Sequence, residues 1–223
     1  RFQREARLLG AIRSPHVVRL LDHGEYRGRP FLVMPLLDAE DLRTHLRRRG
    51  PLPPREAIAV AAQVADGLAA AHEQRVVHRD LKPANVMIGR FGEVLVLDWG
   101  VARILAQAGE LVPAAPAADG PAIKGSGTGH TTAHTAMGTP GFMAPEQAAD
   151  AATAGPTADV YSLGVMLWWL LTGEVTSPAP IPAPAGSLPR SAKLPRRLKS
   201  IVRKCLSASP SDRYPDAGAL AAD

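Results

Sequence analysis

Apolar positions recur at helical spacing in some stretches of this chain and gather in short, dense runs in others. "RFQREARLLGAI" (residues 1–12) places Phe2, Ala6, Leu9 and Ile12 along one face, which predicts an opening helix. "HVVRLLDHG" and "RPFLVMPLL" are strand-like runs separated by a glycine-containing turn. "PREAIAVAAQVADGLAAAHEQ" sets Ile58, Ala61, Ala65, Leu68 and His72 at steps of three and four, with Pro54 in the first turn. That predicts a strong helix, with His72 as a residue of its face. "NVMIG" and "EVLVLDW" flank "RFG" as a hairpin, and "VYSLGVMLWWLL" (160–171) is apolar all round, a buried helix in which Trp168 and Trp169 pack. A Pro-rich break, "SPAPIPAPAGSLP", precedes an amphipathic helix whose apolar face carries Cys205. Residues 106–136 are mostly Ala, Pro, Gly, Ser and Thr, too poor in large apolar groups to build a core, and are expected to be mobile. Helices and a little sheet segregate instead of alternating, so the fold class is α+β.

Composition narrows the picture without deciding it. The chain has 223 residues, 46% hydrophobic and 21% charged, an ordinary globular balance with ample core. A formal charge of +5 raises nucleic-acid binding as an option. The basic residues are scattered, however, and the one dense cluster, "RSAKLPRRLKSIVRK", lacks aromatic stacking partners, so no nucleic acid is expected. A lone cysteine excludes a disulfide framework and fits a reducing compartment. The longest apolar run is well short of the roughly 20 residues that cross a bilayer. The missing initiator Met and an ending in mid-pattern suggest a piece of a longer protein.

The chemistry concentrates in "HRDLKPANVMIG" (78–89) and "LVLDWG" (95–100). Asp80, Lys82, Asn85 and Asp98 each cost free energy to bury, so they form either a solvated loop or the lining of a site for a charged ligand. An Asp, a Lys two on and an Asn five on, flanked by strands, suit phosphoryl transfer. The Asp accepts a proton from an attacking hydroxyl, the Lys offsets charge on the moving phosphoryl, and the Asn carbonyl is a hard ligand for Mg²⁺, with Asp98 as the metal's carboxylate. "GSGTG" (125–129) resembles a phosphate loop but lacks the strand before and the helix after it, so a linker is the better reading. His130 and His134 have metal-like spacing but no further ligand nearby.

Taken together, "HRDLKPAN", "LDWG", "GTPGFMAPE", "DVYSLGVMLWWLLTG" and "PSDRYPDA" resemble, in order, the signatures of protein kinases, with the "DLKP" form of bacterial serine/threonine kinases. The resemblance implies a two-lobe fold, with residues 1–37 a partial β-rich N-lobe and 38–223 a mainly helical C-lobe whose activation segment spans about 98–146. It implies ATP and Mg²⁺ as cofactors. Asp80 would be the base, Lys82 the phosphate-facing cation, and Asn85 and Asp98 the metal ligands. Glu5 would pair with an ATP-binding lysine. Met34 would be the gatekeeper, Pro35 and Leu37 the hinge, Asp41 the ribose contact and Met87 the floor beneath the base. His78 and Trp99 would stack with Leu9 and Leu20, Asp159 would brace the catalytic loop, and Glu146 and Arg213 would form a buried ion pair. Arg79 would bind a phosphorylated residue of the activation segment. Thr131, Thr132 and Thr135 are the candidates, Ser126 and Thr128 are less well placed, and Thr139 would be a fixed partner of Asp80 and Lys82. Protein Ser/Thr substrates and self-association for autophosphorylation are the implied partners. The catalytic domain is expected in the cytoplasm, with any membrane anchor outside this chain.

The chain departs from the family pattern in several places. The Gly-rich loop and the strand lysine are absent, so the polypeptide as given is expected to bind ATP poorly and be inactive; an inactive, kinase-like binding scaffold is the alternative. A small-molecule phosphotransferase is disfavoured by "DLKP" and "GTPGFMAPEQ". Trp99 stands where the family usually has Phe, and the helix that usually docks substrate near residue 180 looks shortened.

Overall fold

The computed structural model describes residues 10, 12–99, 103–104, 141–150, 153–173 and 194–223. Within them, strands β1 (Asp22–Tyr26) and β2 (Arg29–Val33) form an antiparallel hairpin. Its two-residue turn, Arg27–Gly28, has φ of +51° and +74°, the left-handed pair that matches the twist of the strands. The first strand begins later than its apolar run suggests. Of that run, Val17 makes a single parallel bridge to Val96, and Val17 and Val18 are buried.

Strand β3 (Ala39–Asp41) leads into helix α1 (Leu42–Arg49), which is capped by Asp41. Helix α2 (Pro54–Glu73) starts on a proline, whose missing N–H costs nothing there. Its buried stripe runs through Ala57, Val60, Ala61, Val64, Ala65, Leu68 and Ala71. Ile58 lies outside that stripe and is 44% exposed, one helical step away from the face its spacing predicts.

After β4 (Val76–Val77) and a 3₁₀ turn at Pro83–Asn85 comes the hairpin of β5 (Val86–Gly89) and β6 (Val94–Val96). These strands complete an antiparallel sheet in the order β3-β5-β6, and β4 pairs with a short β7 (Arg103–Ile104). Helices α3 (Pro145–Ala149), α4 (Pro156–Thr172), α5 (Arg196–Cys205) and α6 (Ala217–Ala221) follow. The fold is α+β, with small antiparallel sheets and a mainly helical remainder.

Helix α4 is the axis of the core, with every residue from Ala158 to Leu171 buried. It ends at Gly173, whose φ of +71° lets its N–H close on the Trp169 carbonyl at 2.8 Å. Helix α5 lies against α4 where Gly164 meets Cys205; a methyl group on Gly164 would overlap the Cys205 side chain. Cys205 is fully buried, as its helical position predicts, and burial pushes its thiol up to about 12. No described helix is long and apolar enough to cross a membrane.

Candidate active site

The β5–β6 hairpin brings the two chemical motifs together. The loop 78–85 enters β5 and residues 97–99 leave β6, so both lie at one end of the hairpin. The Leu97 N–H donates to the Asn85 carbonyl at 2.8 Å and fixes that alignment.

Within the loop, Lys82 Nζ donates to Asp80 Oδ2 at 2.6 Å. Asn85 Nδ2 donates to the Asp80 carbonyl at 2.9 Å and lies 3.4 Å from Oδ2. Its carbonyl oxygen is thereby the side-chain donor left to offer a cation. Asp98 is exposed, with φ of +57°, a left-handed conformation that Asp tolerates better than most side chains. Among the described residues, no group of three or more His, Cys, Asp and Glu converges as metal ligands. Asn85 and Asp98 offer one neutral and one anionic hard oxygen, a set that fits Mg²⁺, which keeps several waters and shares phosphate oxygens.

A buried carboxylate holds the loop from below. Asp159, fully buried on α4, accepts the His78 N–H on Oδ2 and the Arg79 N–H on Oδ1, both at 2.9 Å. His72 Nε2 donates to Oδ2 at 2.9 Å, while its Nδ1 accepts the Ala217 N–H at 3.2 Å, which fixes a neutral tautomer. Burial alone would raise the Asp159 carboxyl, but the His72 hydrogen bond and the loop amides outweigh it and hold the group below the ordinary carboxylate value. His78 follows the same logic: Nδ1 accepts the Asp80 N–H at 3.2 Å, and Nε2 donates to the Leu97 carbonyl at 3.0 Å. Its ring lies 4.6 Å from that of Trp99, tilted by 56°, and both are fully buried. Leu20 is partly buried against the same core.

Arg79 sits between these anchors with φ of +70° and donates its Nη2 to the Ala154 carbonyl at 3.0 Å. Farther out, Arg213 makes a bidentate pair with Glu146, at 2.7 and 2.9 Å, and also donates to the carbonyls of Ser207, Thr157 and Ala208. The Tyr161 ring lies 4.8 Å from the Arg213 guanidinium carbon.

The residues predicted for the hinge and for the ribose contact are placed less tightly. Met34 is 44% exposed, Pro35 is exposed and Leu37 half-buried. Met87, half-buried on β5, stands opposite Asp41 in the ladder. Asp41 accepts from the Thr44 N–H at 3.0 Å and from the Thr44 hydroxyl at 2.6 Å. In this structure it is a helix cap. Burial pushes its carboxyl up, but the Thr44 hydroxyl and N–H outweigh that and leave it lowered.

Glu5, Leu9, Ser126, Thr128, His130, Thr131, Thr132, His134, Thr135 and Thr139 lie outside the described residues, as do most of the opening helix and the "GSGTG" segment. Two residues that bind this site together escaped the sequence reading. His72 was legible only as a polar residue on an apolar stripe. Gln147, in "APEQ", is 1% exposed and donates to the Arg79 carbonyl at 2.5 Å.

The family model described as "Protein kinase domain" matches residues 1–221. Serine/threonine-protein kinase PknL of Mycobacterium tuberculosis is 34% identical over 233 aligned residues, which cover 100% of this chain and 53% of PknL. PknD of the same species is 34% identical, over 99% of this chain and 32% of its own length. PknH of Mycobacterium bovis is 35% identical, over 99% and 35%. The chain thus spans about half the length of PknL and about a third of the other two. By the family match and by likeness along its whole length, the chain belongs to the protein kinases, and its relatives there are serine/threonine kinases.

Proposed function

We propose that this chain carries the catalytic centre of a serine/threonine kinase that transfers the γ-phosphoryl of Mg-ATP to protein hydroxyls. The observation that carries the reading is the convergence of Lys82 and Asn85 on one carboxylate, Asp80, within a loop clamped by Asp159. A carboxylate fixed in this way can take the proton of a Ser or Thr hydroxyl as its oxygen bonds to the γ-phosphorus and the bond to the β-phosphate oxygen breaks, releasing ADP. Lys82, already beside Asp80, can follow the phosphoryl oxygens as charge moves. When bound to Asn85 and Asp98, Mg²⁺ would neutralise the triphosphate.

The same reading divides the chain into an N-lobe part at 1–37 and a C-lobe at 38–223. Met34, Pro35, Leu37 and Met87 face adenine, and the segment at about 98–146 is regulated by phosphorylation near Arg79. Protein substrates, and a second copy during autophosphorylation, are its partners.

The test is to incubate the full-length protein with γ-labelled ATP and Mg²⁺. Phosphoserine or phosphothreonine should form on protein, with part of the label on Thr131, Thr132 or Thr135. Absence of transfer to any protein would end the reading; transfer with an unmodified 124–140 segment would end only its regulatory part. Replacement of Asp98 by Ala should abolish the Mg²⁺ dependence of nucleotide binding in titration calorimetry, and unchanged binding would remove Asp98 from the metal.

A further inference from the structure

Among the described residues, Gln147 is one of the few buried polar side chains outside those assigned above. It is 1% exposed, on the short helix α3 next to the anchored Glu146. A primary amide at that depth is costly unless it is bonded. Its Nε2 reaches across 68 residues of sequence to the carbonyl of Arg79, at 2.5 Å.

What that carbonyl belongs to gives the bond its meaning. Arg79 is a non-glycine residue at φ +70°, a conformation the backbone leaves unless something holds it. The peptide unit joining Arg79 to Asp80 has two polar ends. Its oxygen is held by Gln147, and its N–H, that of Asp80, is held by His78 Nδ1 at 3.2 Å. On the other side, the Arg79 N–H goes to Asp159 at 2.9 Å. With both ends of the peptide tied, its plane cannot rotate. The direction in which Asp80 leaves the backbone is set by that plane. Without Gln147, this peptide could turn about the Cα atoms that flank it, changing ψ of Arg79 and φ of Asp80, and the Asp80 carboxylate would swing with it.

We propose that Gln147 is a positioning residue for the reaction: it locks the Arg79–Asp80 peptide and so aims the Asp80 carboxylate. This rests on the assignment of Asp80 as the base. It also makes α3 part of the machinery, because the helix is anchored by Glu146 through Arg213 and passes that position to the catalytic loop through its neighbour, Gln147.

The experiment compares two substitutions in the full-length protein. Gln147→Met keeps length and burial but has no donor. It should lower kcat by about 10- to 100-fold, the scale of a misplaced catalytic group, with KM for ATP within about twofold. It should also speed amide hydrogen exchange over residues 78–82 while leaving α4 unchanged. Gln147→Glu keeps the shape but sets a carboxylate against a carbonyl oxygen; protonation restores a donor. The ratio of its kcat to that of the native protein should therefore rise as pH falls, a trend that a role in stability alone would not produce. Should Gln147→Met not fold, Gln147→Glu carries the test. A kcat within about twofold of native with unchanged exchange at 78–82, or a loss of exchange protection spread evenly over the core, would overturn the proposal. If the native protein transfers no phosphoryl, the kinase reading falls separately, and the exchange of residues 78–82 still decides whether Gln147 locks the loop.

Discussion

Replacing Asp80 by Asn should cut kcat by about 10²- to 10⁴-fold, the usual contribution of a positioned general base. The amide has the carboxylate's shape, so the loop should persist: His78 still accepts the residue-80 N–H, and Asp159 still holds the amides of His78 and Arg79. What is lost is the proton acceptor and the charge opposite Lys82. That ion pair is partly open to water, with side-chain exposures of 24% and 11%, so its loss should cost no more than about 1 kcal/mol. Activity and stability should separate. A turnover assay beside a thermal melt tests this, and near-native turnover would take Asp80 out of the role of base.

The largest effect on stability is expected from Glu146→Ala. The Arg213 side chain is fully buried and Glu146 only 16% exposed, and every guanidinium nitrogen is bonded: Nη1 and Nη2 to Glu146, Nε and the remaining protons to backbone carbonyls. Removing the carboxylate strands a buried cation, which typically costs about 3–5 kcal/mol. For a domain of this size that corresponds to a fall in Tm of roughly 6–20 °C. Glu146→Gln, which keeps the shape and an acceptor but not the charge, should fall less. An unshifted melting temperature in Glu146→Ala would show that the pair adds nothing to the fold.

How much of this was readable beforehand depended on how each residue is constrained. The β5–β6 hairpin, the long α2 and the buried α4 were plain, because burial imposes a period and the period survives in the sequence. Position around a helix was read less finely: the buried stripe of α2 includes Ala57 and Val60 and leaves Ile58 at its edge, since an alanine-rich face hides which small residues point inward. Strand ends were also blurred. Apolar residues continue past β6 because Leu97 and Trp99 pack without belonging to a ladder.

At the candidate site, residues proposed to act through side-chain charge stand out by type and spacing; residues that support it through hydrogen bonds to partners far along the chain do not. His72 and Gln147 read as incidental polar positions, because nothing local reveals that their partners are Asp159, 87 residues on, and Arg79, 68 residues back. Asp41, which the resemblance marks as a ribose contact, also caps helix α1 through Thr44, three residues on, a role that its local spacing signals.

The contact between Gly164 and Cys205 ties the history of one position to that of the other. A side chain cannot be added at residue 164 while a Cβ occupies its space from α5, and residue 205 cannot grow bulkier toward α4 while the helices stay this close. Drift at either site is blocked unless the partner yields first, so related chains that carry a larger residue at 164 should show either a wider separation of these two helices or glycine at 205.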